Sequence, residues 1–394
     1  MRIVTKILVE CPQKIASVRV GVLEPLKLVE EAGLCQVRYR DTKDITKKEI
    51  LWCDVLVCVR GCEYPTLRIV QAAKASGRFL AYFLDDDLLN IPDGNASSNY
   101  YRDNKIKVNL TKILELCDVL WTVNHQIVFK YGQYVSRSAL LRVPATIRRQ
   151  PPEKFEQIHI LYAGSADHSG LVRELLAPAV QKILEEYGQR VDFTFIGADP
   201  NLRHTEGVQY YPYFESYDEY QETVLAGNFS IGLAPVYDTP FYACKYYNKF
   251  IEYSSCGIAG IYSNYEPYQE VVTQGENGMM CENTVESWYL AIKQMVDSPQ
   301  DVQKMAYAGA KILETQFTYR AVAKLLKEQI PEVLSFQGPL ISEKDISLPP
   351  MRLLFYQERI RLLCRMYGLL AVFVIPLKAI KKIFKTIGKK LRGK

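Results

Sequence analysis

The segment "CDVLVCVRGCEYPTLRIVQAAKASGRFLAYFLDDD" (residues 53–87) decides the fold that this sequence predicts. It begins with an apolar run at 53–61, continues with a helix-period stretch at 66–75 and ends in a second apolar run at 78–87. A strand that is apolar throughout is covered on both faces, and a helix between two such strands makes them parallel neighbours. This β-α-β unit therefore predicts an open parallel sheet with helices on both sides.

The same alternation extends from this unit in both directions along the chain. Further apolar strands are predicted upstream at 3–9 and 35–39, and downstream at 118–123, 139–144, 158–164, 191–197, 208–211, 229–235 and 258–263. At 394 residues the chain is too long for one typical core. We therefore predict an α/β protein with two tandem Rossmann-like doubly wound domains.

Two polar, proline-containing stretches without periodicity give the expected domain boundaries. We predict an N-terminal domain at 1–144, a linker at 145–157, a C-terminal domain at 158–336, a second linker at 337–350 and a basic amphipathic helical tail at 351–394.

The positive charge of the chain is concentrated in this tail. The whole sequence carries a net charge of +5, yet residues 351–394 contain twelve Lys or Arg and only one acid, Glu358. Apolar residues at 380, 383, 384, 387 and 391 follow helical spacing, and basic residues fill the other positions. This pattern predicts a helix on an anionic membrane surface, with contacts from Lys378, Lys381, Lys382, Phe384 and Lys385. Nucleic-acid binding is the rival interpretation, but the tail aromatics are not spaced as a stacking array, so we expect no nucleic acid.

Other segments bear on the expected location of the protein. The longest apolar run, Tyr367 to Leu377, has 11 residues, short of the roughly 18–20 that span a bilayer. The first residues read as a strand rather than a signal peptide. Ten scattered cysteines without a CxxC pair indicate buried, reduced thiols. We expect a cytoplasmic protein that is peripheral on the inner face of the cell membrane.

The predicted helix at 245–255 carries its charges in an unusual order. Lys245 and Lys249 come early and Glu252 comes later, although cations are favoured at helix C-termini. On a helical projection the three side chains lie within about 60° of one another, with Asn248 at one margin. Two ammonium groups at a helix start would bind a diphosphate, and Glu252 would accept from a ribose diol. The alternative is a solvated Lys/Glu face with a weak ion pair.

Two strand ends supply further candidates. "GSADHSG" (164–170) is a strand-to-helix turn whose glycines would let backbone approach a phosphate, and His168 within it is either a ligand contact or a surface histidine. "LDDDLLNIP" (84–92) places Asp85, Asp86 and Asp87 at a strand end, where they would act as a base or hold sugar hydroxyls. The alternative is a helix N-cap with first-turn acids. If the strand persists that far, alternation would put Asp85 and Asp87 on one side and Asp86 on the other.

The stretch "APVYDTPFYACKYYNKFIEYSSCGIAGIYSNYEPYQEVVTQGENGMM" (234–280) resembles the donor-binding segment of GT-B glycosyltransferases of family 4 or a near relative. "IHILYAGSADHSG" and "FTFIG" resemble the first two strands of the same domain, and "YFLDDDLLNIP" is similar to the acceptor domain of bacterial polysaccharide transferases. The resemblance covers roughly residues 3–330 and is most specific at 234–280.

The resemblance implies a nucleotide-sugar donor on the C-terminal domain and an acceptor in the interdomain cleft. It implies donor binding by Gly164, Ser165, Lys245, Asn248, Lys249 and Glu252, catalytic positions at Asp85, Asp86 and Asp238, and an acceptor side at Arg19 and Arg60. The implied activity is glycosyl transfer, usually with retention, to a lipid-linked or oligosaccharide acceptor of a surface polysaccharide. No metal or other cofactor is expected, because lysines and a helix start can stabilise the leaving diphosphate.

Two features depart from the family pattern. The basic residue often found just after the glycine turn is absent from "GSADHSG" (164–170), and one of two glutamates is missing. Family 4 often has two glutamates eight positions apart, and Cys244 stands eight before Glu252. Asp238 would substitute for the missing carboxylate. The departure leaves two alternatives open, a catalytically inactive transferase-like scaffold at the membrane and a sugar-nucleotide epimerase of the same fold.

Overall fold

The computed structural model describes residues 4–93, 98–152 and 157–368. Within these ranges two six-stranded sheets form, and every pairing between their strands is parallel. The first sheet has the order β2-β1-β3-β4-β5-β6 and the second β12-β11-β10-β7-β8-β9. The strands are β1 Thr5–Cys11, β2 Cys35–Asp41, β3 Val55–Val59, β4 Phe79–Leu84, β5 Val119–Thr122, β6 Ser138–Leu140, β7 Ile158–Gly164, β8 Val191–Gly197, β9 Val208–Tyr211, β10 Ile231–Ala234, β11 Ala259–Ser263 and β12 Met279–Cys281.

Helices connect these strands, and the described α-helices have the following bounds. They are α1 Ala16–Val18, α2 Glu24–Glu31, α3 Lys47–Trp52, α4 Tyr64–Ala75, α5 Ser98–Tyr101, α6 Asn104–Leu116, α7 His125–Tyr131, α8 Ser169–Leu171, α9 Ala177–Tyr187, α10 Tyr217–Ala226, α11 Asn248–Ser255, α12 Val285–Asp297, α13 Pro299–Gln316, α14 Tyr319–Gln329, α15 Glu332–Ser335 and α16 Met351–Tyr367. The predicted α/β class with two Rossmann-like sheets is confirmed.

The central strands explain why the sequence pattern was informative. Every residue of β3, β4, β5 and β10 is buried, as a parallel sheet covered on both faces requires. The core of the second sheet joins strand residues such as Phe193 and Phe195 to helix residues such as Trp288 and Ile292. The continuous apolar runs in the sequence therefore predicted both sheets correctly.

The chain divides into two compact units, and their bounds differ from the predicted domains. Of the described residues, those within 1–122, 127–140 and 326–368 form the first unit, and those within 123–126 and 141–325 form the second. Residues 326–336 thus belong with the first sheet, because Glu332 pairs with Arg137 at 2.9 Å and the Phe336 carbonyl accepts from Thr5 at 3.2 Å. Such a return of the chain depends on contacts over long sequence separations, which periodicity does not report.

The two predicted linkers are fixed to their units where the structure describes them. The Arg148 amide donates to the Ser255 carbonyl at 2.7 Å, and the Arg149 guanidinium donates to the carbonyls of Cys256 and Phe229, each at 2.9 Å. In the second linker the Gly338 amide donates to Asp54 at 3.0 Å. Both stretches therefore follow the surface of a unit.

The predicted tail is in part a docked helix. Residues 351–367 form α16, which packs on the first unit and buries Met351 and Leu362. Lys378, Lys381, Lys382, Phe384 and Lys385 lie outside the described residues, so their membrane role stays a prediction. In the described part of the chain, no helix combines the length and the apolar character needed to cross a bilayer.

Candidate functional site

Helix α11 begins three residues later than the sequence predicted. Asn248 is its first residue, and Lys245 precedes it in extended conformation, with φ −73° and ψ 154°. The helical projection that placed Lys245 on this helix was therefore wrong. A 3-10 turn at Tyr242–Cys244 comes first, and the buried Asn124 amide donates to the carbonyls of Ala243 at 3.0 Å and Lys245 at 2.7 Å. These bonds fix the backbone from which the Lys245 side chain projects.

Lys249 and Glu252 form a part-buried ion pair. The Lys249 ammonium donates to the Glu252 carboxylate at 2.7 Å, and the two side chains are 23% and 22% exposed. The Tyr220 hydroxyl of α10 donates to the other Glu252 oxygen and lies 3.3 Å from the ammonium of Lys249. The (i, i+3) pair of the alternative interpretation is therefore present, with both side chains part-buried rather than solvated. A carboxylate with about four acceptor positions keeps capacity for a further hydroxyl donor.

Burial acts on the pKa of both partners. It lowers the pKa of Lys249 from its ordinary 10.5 to about 7, an effect that nearby Cys256 opposes. It raises the pKa of Glu252 from 4.5 to about 8, an effect that Arg148 opposes. Each charge is costly without a strong partner, because partial desolvation disfavours the ionised form. A phosphate anion beside Lys249 would restore its full charge.

The carboxyl ends of β7 and β8 form a glycine-lined edge close to these lysines. Gly197 has φ +85°, and a Cβ at this position would lie 2.0 Å from the carbonyl oxygen of Gly164, so no larger residue fits. The two glycines are partners in the β7–β8 register. Ser165 follows Gly164 in extended conformation and is exposed. Backbone can therefore approach a ligand closely at this edge.

His168 connects the glycine turn with the lysines. Its ring contacts Tyr242 edge-on, with 5.6 Å between centroids. Burial lowers its pKa, and although Asp167 opposes this, the positive charges of Lys245 and Lys249 lower it further. The charges of Lys245 and Lys249 thus act on His168, whose amide donates to the Ser165 carbonyl at 3.1 Å in the turn after Gly164. That Gly164, Ser165, Lys245 and Lys249 bind a donor stays a prediction. Asn248 is exposed at the start of α11 beside them.

An aromatic cluster beside the glycine edge was missed from the sequence. Tyr213 lies against the glycine edge, since a Cβ on Gly197 would lie 3.6 Å from its ring, and it is 69% exposed. Tyr211 stacks on Phe214 with 6.2 Å between centroids, and Phe214 contacts Tyr220 at 6.3 Å. The signal was present in the run "VQYYPYFESYDEY" (208–220), which holds six aromatic residues in thirteen. Exposed aromatic rings at such an edge suit the flat face of a nucleobase.

Cys244 and Asp238 lie in different environments. The Cys244 thiol is buried and donates to the Pro240 carbonyl at 3.3 Å, so it does not take the place of a sugar-binding carboxylate. Asp238 is exposed on the loop after β10, near Tyr265, whose pKa is raised by burial, by Glu282 and by Asp238. Its substitution for the missing glutamate stays a prediction.

In the first unit, Arg60 joins the ends of β3 and β4. It has φ +54°, a conformation that non-glycine residues adopt rarely. Its guanidinium lies 3.3 Å from Asp85 and 2.9 Å from Asp86, and it donates to the Ser17 hydroxyl at 3.1 Å. Burial raises the pKa of Asp85; Arg60 opposes the rise and Asp86 adds to it. Strained backbone that holds a buried charge cluster at a strand end is typical of functional sites.

The strand does not persist far enough for the three aspartates to alternate. β4 ends at Leu84, so Asp85 and Asp86 leave the strand and both face Arg60. Asp87 is buried instead and accepts from Lys130 and from the Tyr131 hydroxyl, each at 2.6 Å. Asp87 therefore anchors α7.

Arg19 is on the same segment as Ser17 but lies at the surface. Its side chain is 55% exposed and lies 3.7 Å from Glu24. Arg60 is thus the buried member of the predicted acceptor side and Arg19 the exposed one.

One cluster in the second unit has the spacing of metal ligands. His125, Glu266 and Glu270 place their ligand atoms within 4.8 Å of one another, and the imidazole lies 3.2 Å from Glu266 and 3.0 Å from Glu270. The same distances describe an imidazole hydrogen-bonded to two carboxylates. That the protein needs no metal stays a prediction.

Neither a protein-family model nor a curated protein matches this sequence. Solved structures do match its fold. A glycosyltransferase from Rickettsia africae is similar with a TM-score of 0.59 at 12% identity, over 84% of this chain and 99% of the other. Anabaena HepE in complex with UDP-glucose is similar with a TM-score of 0.58 at 12% identity, over 83% of this chain and 99% of HepE. Sucrose-phosphate synthase from Thermosynechococcus elongatus gives 0.58 at 12% identity, over 84% and 99%.

These likenesses show that the chain has the GT-B fold. The resemblance found at residues 234–280 is confirmed at that level. The narrower assignment to family 4 stays a prediction.

Proposed function

We propose that this protein is a glycosyltransferase that takes its sugar from a nucleoside diphosphate donor bound to the second unit. The observation that carries the proposal is that Lys245 and Lys249, before and at the start of α11, act electrostatically on His168 in the turn that follows Gly164. A helix start with two ammonium groups stabilises phosphate oxygens. HepE, which has the same fold, was crystallised with UDP-glucose, and this supports a nucleotide-sugar donor.

Each element of the site has a role in this proposal. The diphosphate binds between the lysines and the backbone of Gly164 and Ser165. The ribose hydroxyls donate to Glu252, and the base stacks on the exposed ring of Tyr213. As the glycosidic bond to the leaving diphosphate breaks, negative charge grows on its oxygens. Lys249 then stabilises that charge in a partly desolvated setting, where electrostatic stabilisation is strong.

The Arg60 cluster of the first unit supplies the acceptor side. Asp85 and Asp86 are held 3.3 Å and 2.9 Å from one guanidinium, so their remaining acceptor positions have a fixed direction. Such carboxylates suit the hydroxyl groups of a sugar acceptor. Retention at the anomeric carbon is part of the proposal through the family resemblance alone.

The acceptor that we propose is a lipid-linked glycan of surface polysaccharide synthesis. The support is the basic sequence at 378–394, which contains eight Lys or Arg and no acid. Polybasic segments contribute on the order of 1 kcal/mol per basic residue at an anionic leaflet. We therefore propose a peripheral position on the cytoplasmic face of the membrane.

A second candidate function is a scaffold that binds a nucleotide sugar without transferring it. The buried Cys244 thiol favours it, because a glutamate that would contact the sugar is often found at this position in family 4 proteins. Nucleotide binding alone does not separate the two candidates, whereas turnover of the donor does.

Calorimetric titration with UDP, GDP, ADP and dTDP tests the proposed donor site. We expect one nucleoside diphosphate to bind and Lys249→Met to weaken that binding. No change is expected for Lys304→Met, whose side chain is 75% exposed and pairs with Asp301 at 2.9 Å. Absence of binding by all four, with folded wild-type protein, would refute the proposed function.

A further inference from the structure

Helix α16 is attached to the first unit by one of its faces. Three arginines of this helix pair with acids of that unit: Arg352 with Asp44 at 2.8 Å, Arg359 with Glu63 at 3.0 Å and Arg365 with Asp103 at 2.7 Å. Met351 and Leu362 are buried beneath the helix. The helix therefore holds a fixed orientation on the unit.

The opposite face of α16 presents apolar side chains to solvent. Leu353, Tyr356 and Ile360 are 60%, 50% and 49% exposed, and Cys364 is exposed one turn further on. Spacings of three, four and four residues place these four side chains in one stripe along the helix. Single exposed apolar residues are ordinary, but a continuous stripe indicates an interaction surface. We call these four residues the α16 stripe.

We propose that the α16 stripe is the surface that docks on an anionic phospholipid bilayer. Charge complementarity selects this occupant, because α16 ends at Tyr367 and the sequence that follows has eight Lys or Arg and no acid. The apolar stripe and the basic sequence adjoin along the chain, so both meet one surface. The inference rests on the membrane location within the proposed function, and it specifies which face of the first unit contacts lipid.

Cys364 permits a direct test in the native protein. The other nine cysteines are buried, so a thiol-reactive, environment-sensitive fluorophore labels this position selectively. Labelled protein is mixed with phosphatidylcholine vesicles that contain or lack phosphatidylglycerol, and sedimentation is measured in parallel. We expect a blue shift with the anionic vesicles only, reversed by high salt. A label on Leu290→Cys in a Cys364→Ser background reports from the second unit, and we expect its emission to stay unchanged.

Two sets of variants complete the test. Replacing Leu353, Tyr356 and Ile360 together by serine is expected to lower vesicle affinity by about tenfold or more. The control changes Leu290 and Tyr307, which are 51% and 44% exposed on the second unit, to serine and is expected to leave affinity unchanged.

Each outcome decides the proposal. Sedimentation with vesicles but without a blue shift at Cys364 would overturn the docking surface and leave membrane association through the basic sequence in place. Absence of sedimentation would overturn both the docking surface and membrane association through the basic sequence. Nucleoside diphosphate binding is measured without vesicles, so either failure is distinct from failure of the donor site.

Discussion

Lys249 gives nucleotide binding a pH dependence whose sign follows from its environment. Burial lowers its pKa to about 7, so at pH 9 its ammonium is almost wholly deprotonated in the unliganded protein. A bound diphosphate favours the ammonium and raises this pKa towards its ordinary value of 10.5. Binding therefore takes up a proton, and affinity falls as pH rises through the lower of the two pKa values.

The size of the effect follows from the same two pKa values. Linkage of one proton with these values lowers the association constant about 50-fold between pH 7 and pH 9, or about 2 kcal/mol. Because the Lys249 side chain keeps 23% exposure, we expect the association constant to fall at least about fivefold, and we treat the 50-fold fall as the upper limit.

Calorimetry at pH 7, 8 and 9 in buffers of different ionisation enthalpy measures both affinity and proton uptake. Uptake should be about 0.5 proton at pH 7 and approach one at pH 8. Lys249→Arg keeps a permanent charge and should bind with almost no pH dependence, whereas Lys304→Arg should behave as the wild type. Tight binding with neither pH dependence nor buffer-dependent heat would refute this account of Lys249.

Three further predictions concern the two units. Tyr213→Ala should weaken binding of the nucleoside diphosphate by about fivefold or more while pyrophosphate binding stays the same, because only the nucleoside has a base to stack; equal loss for both ligands would contradict stacking, and Tyr307→Ala is the exposed control. Arg60→Ala should lower the free energy of unfolding by about 3 kcal/mol in urea denaturation, because two part-buried carboxylates lose their cation. The Arg352 side chain is 78% exposed, so the control Arg352→Ala should lower the free energy of unfolding by about 1 kcal/mol or less. Equal losses of unfolding free energy in the two variants would refute a special role for Arg60. Gly197→Ala should yield little folded protein because its Cβ meets the Gly164 carbonyl, whereas Gly33→Ala, with φ +68° and open space around it, should cost only about 1 kcal/mol; a stable Gly197→Ala protein would contradict the close approach of β7 and β8.

The fold was predictable because its determinants are local. Continuous apolar strands such as Val55–Val59 and Phe79–Leu84 can only be buried on both faces, and the helices between them impose a parallel order. The strand Met279–Cys281 was not predicted because three residues carry no periodicity. The docking of α16 on the first unit was missed because its ion pairs join residues about 260 or more positions apart.

The candidate site was predictable in its residue types and less so in its geometry. Lys249 and Glu252 lie together on α11, as helical spacing requires. Lys245 lies off the helix because Asn124, 121 positions away in sequence, holds the preceding turn. The burial of the Lys249–Glu252 pair depends on Tyr220 from another helix. Spacing rules describe one element at a time, and these contacts join several.

Turnover of a nucleotide sugar tests the central claim most directly. Wild-type protein, Lys249→Met and the control Lys304→Met are incubated with sugar derivatives of the nucleoside diphosphate that binds, with and without a lipid extract as acceptor. Release of the nucleoside diphosphate is then measured by chromatography. We predict release by the wild type and the control, stimulated by the extract and largely lost in Lys249→Met. Binding without release from any sugar nucleotide would contradict the enzyme and favour the scaffold.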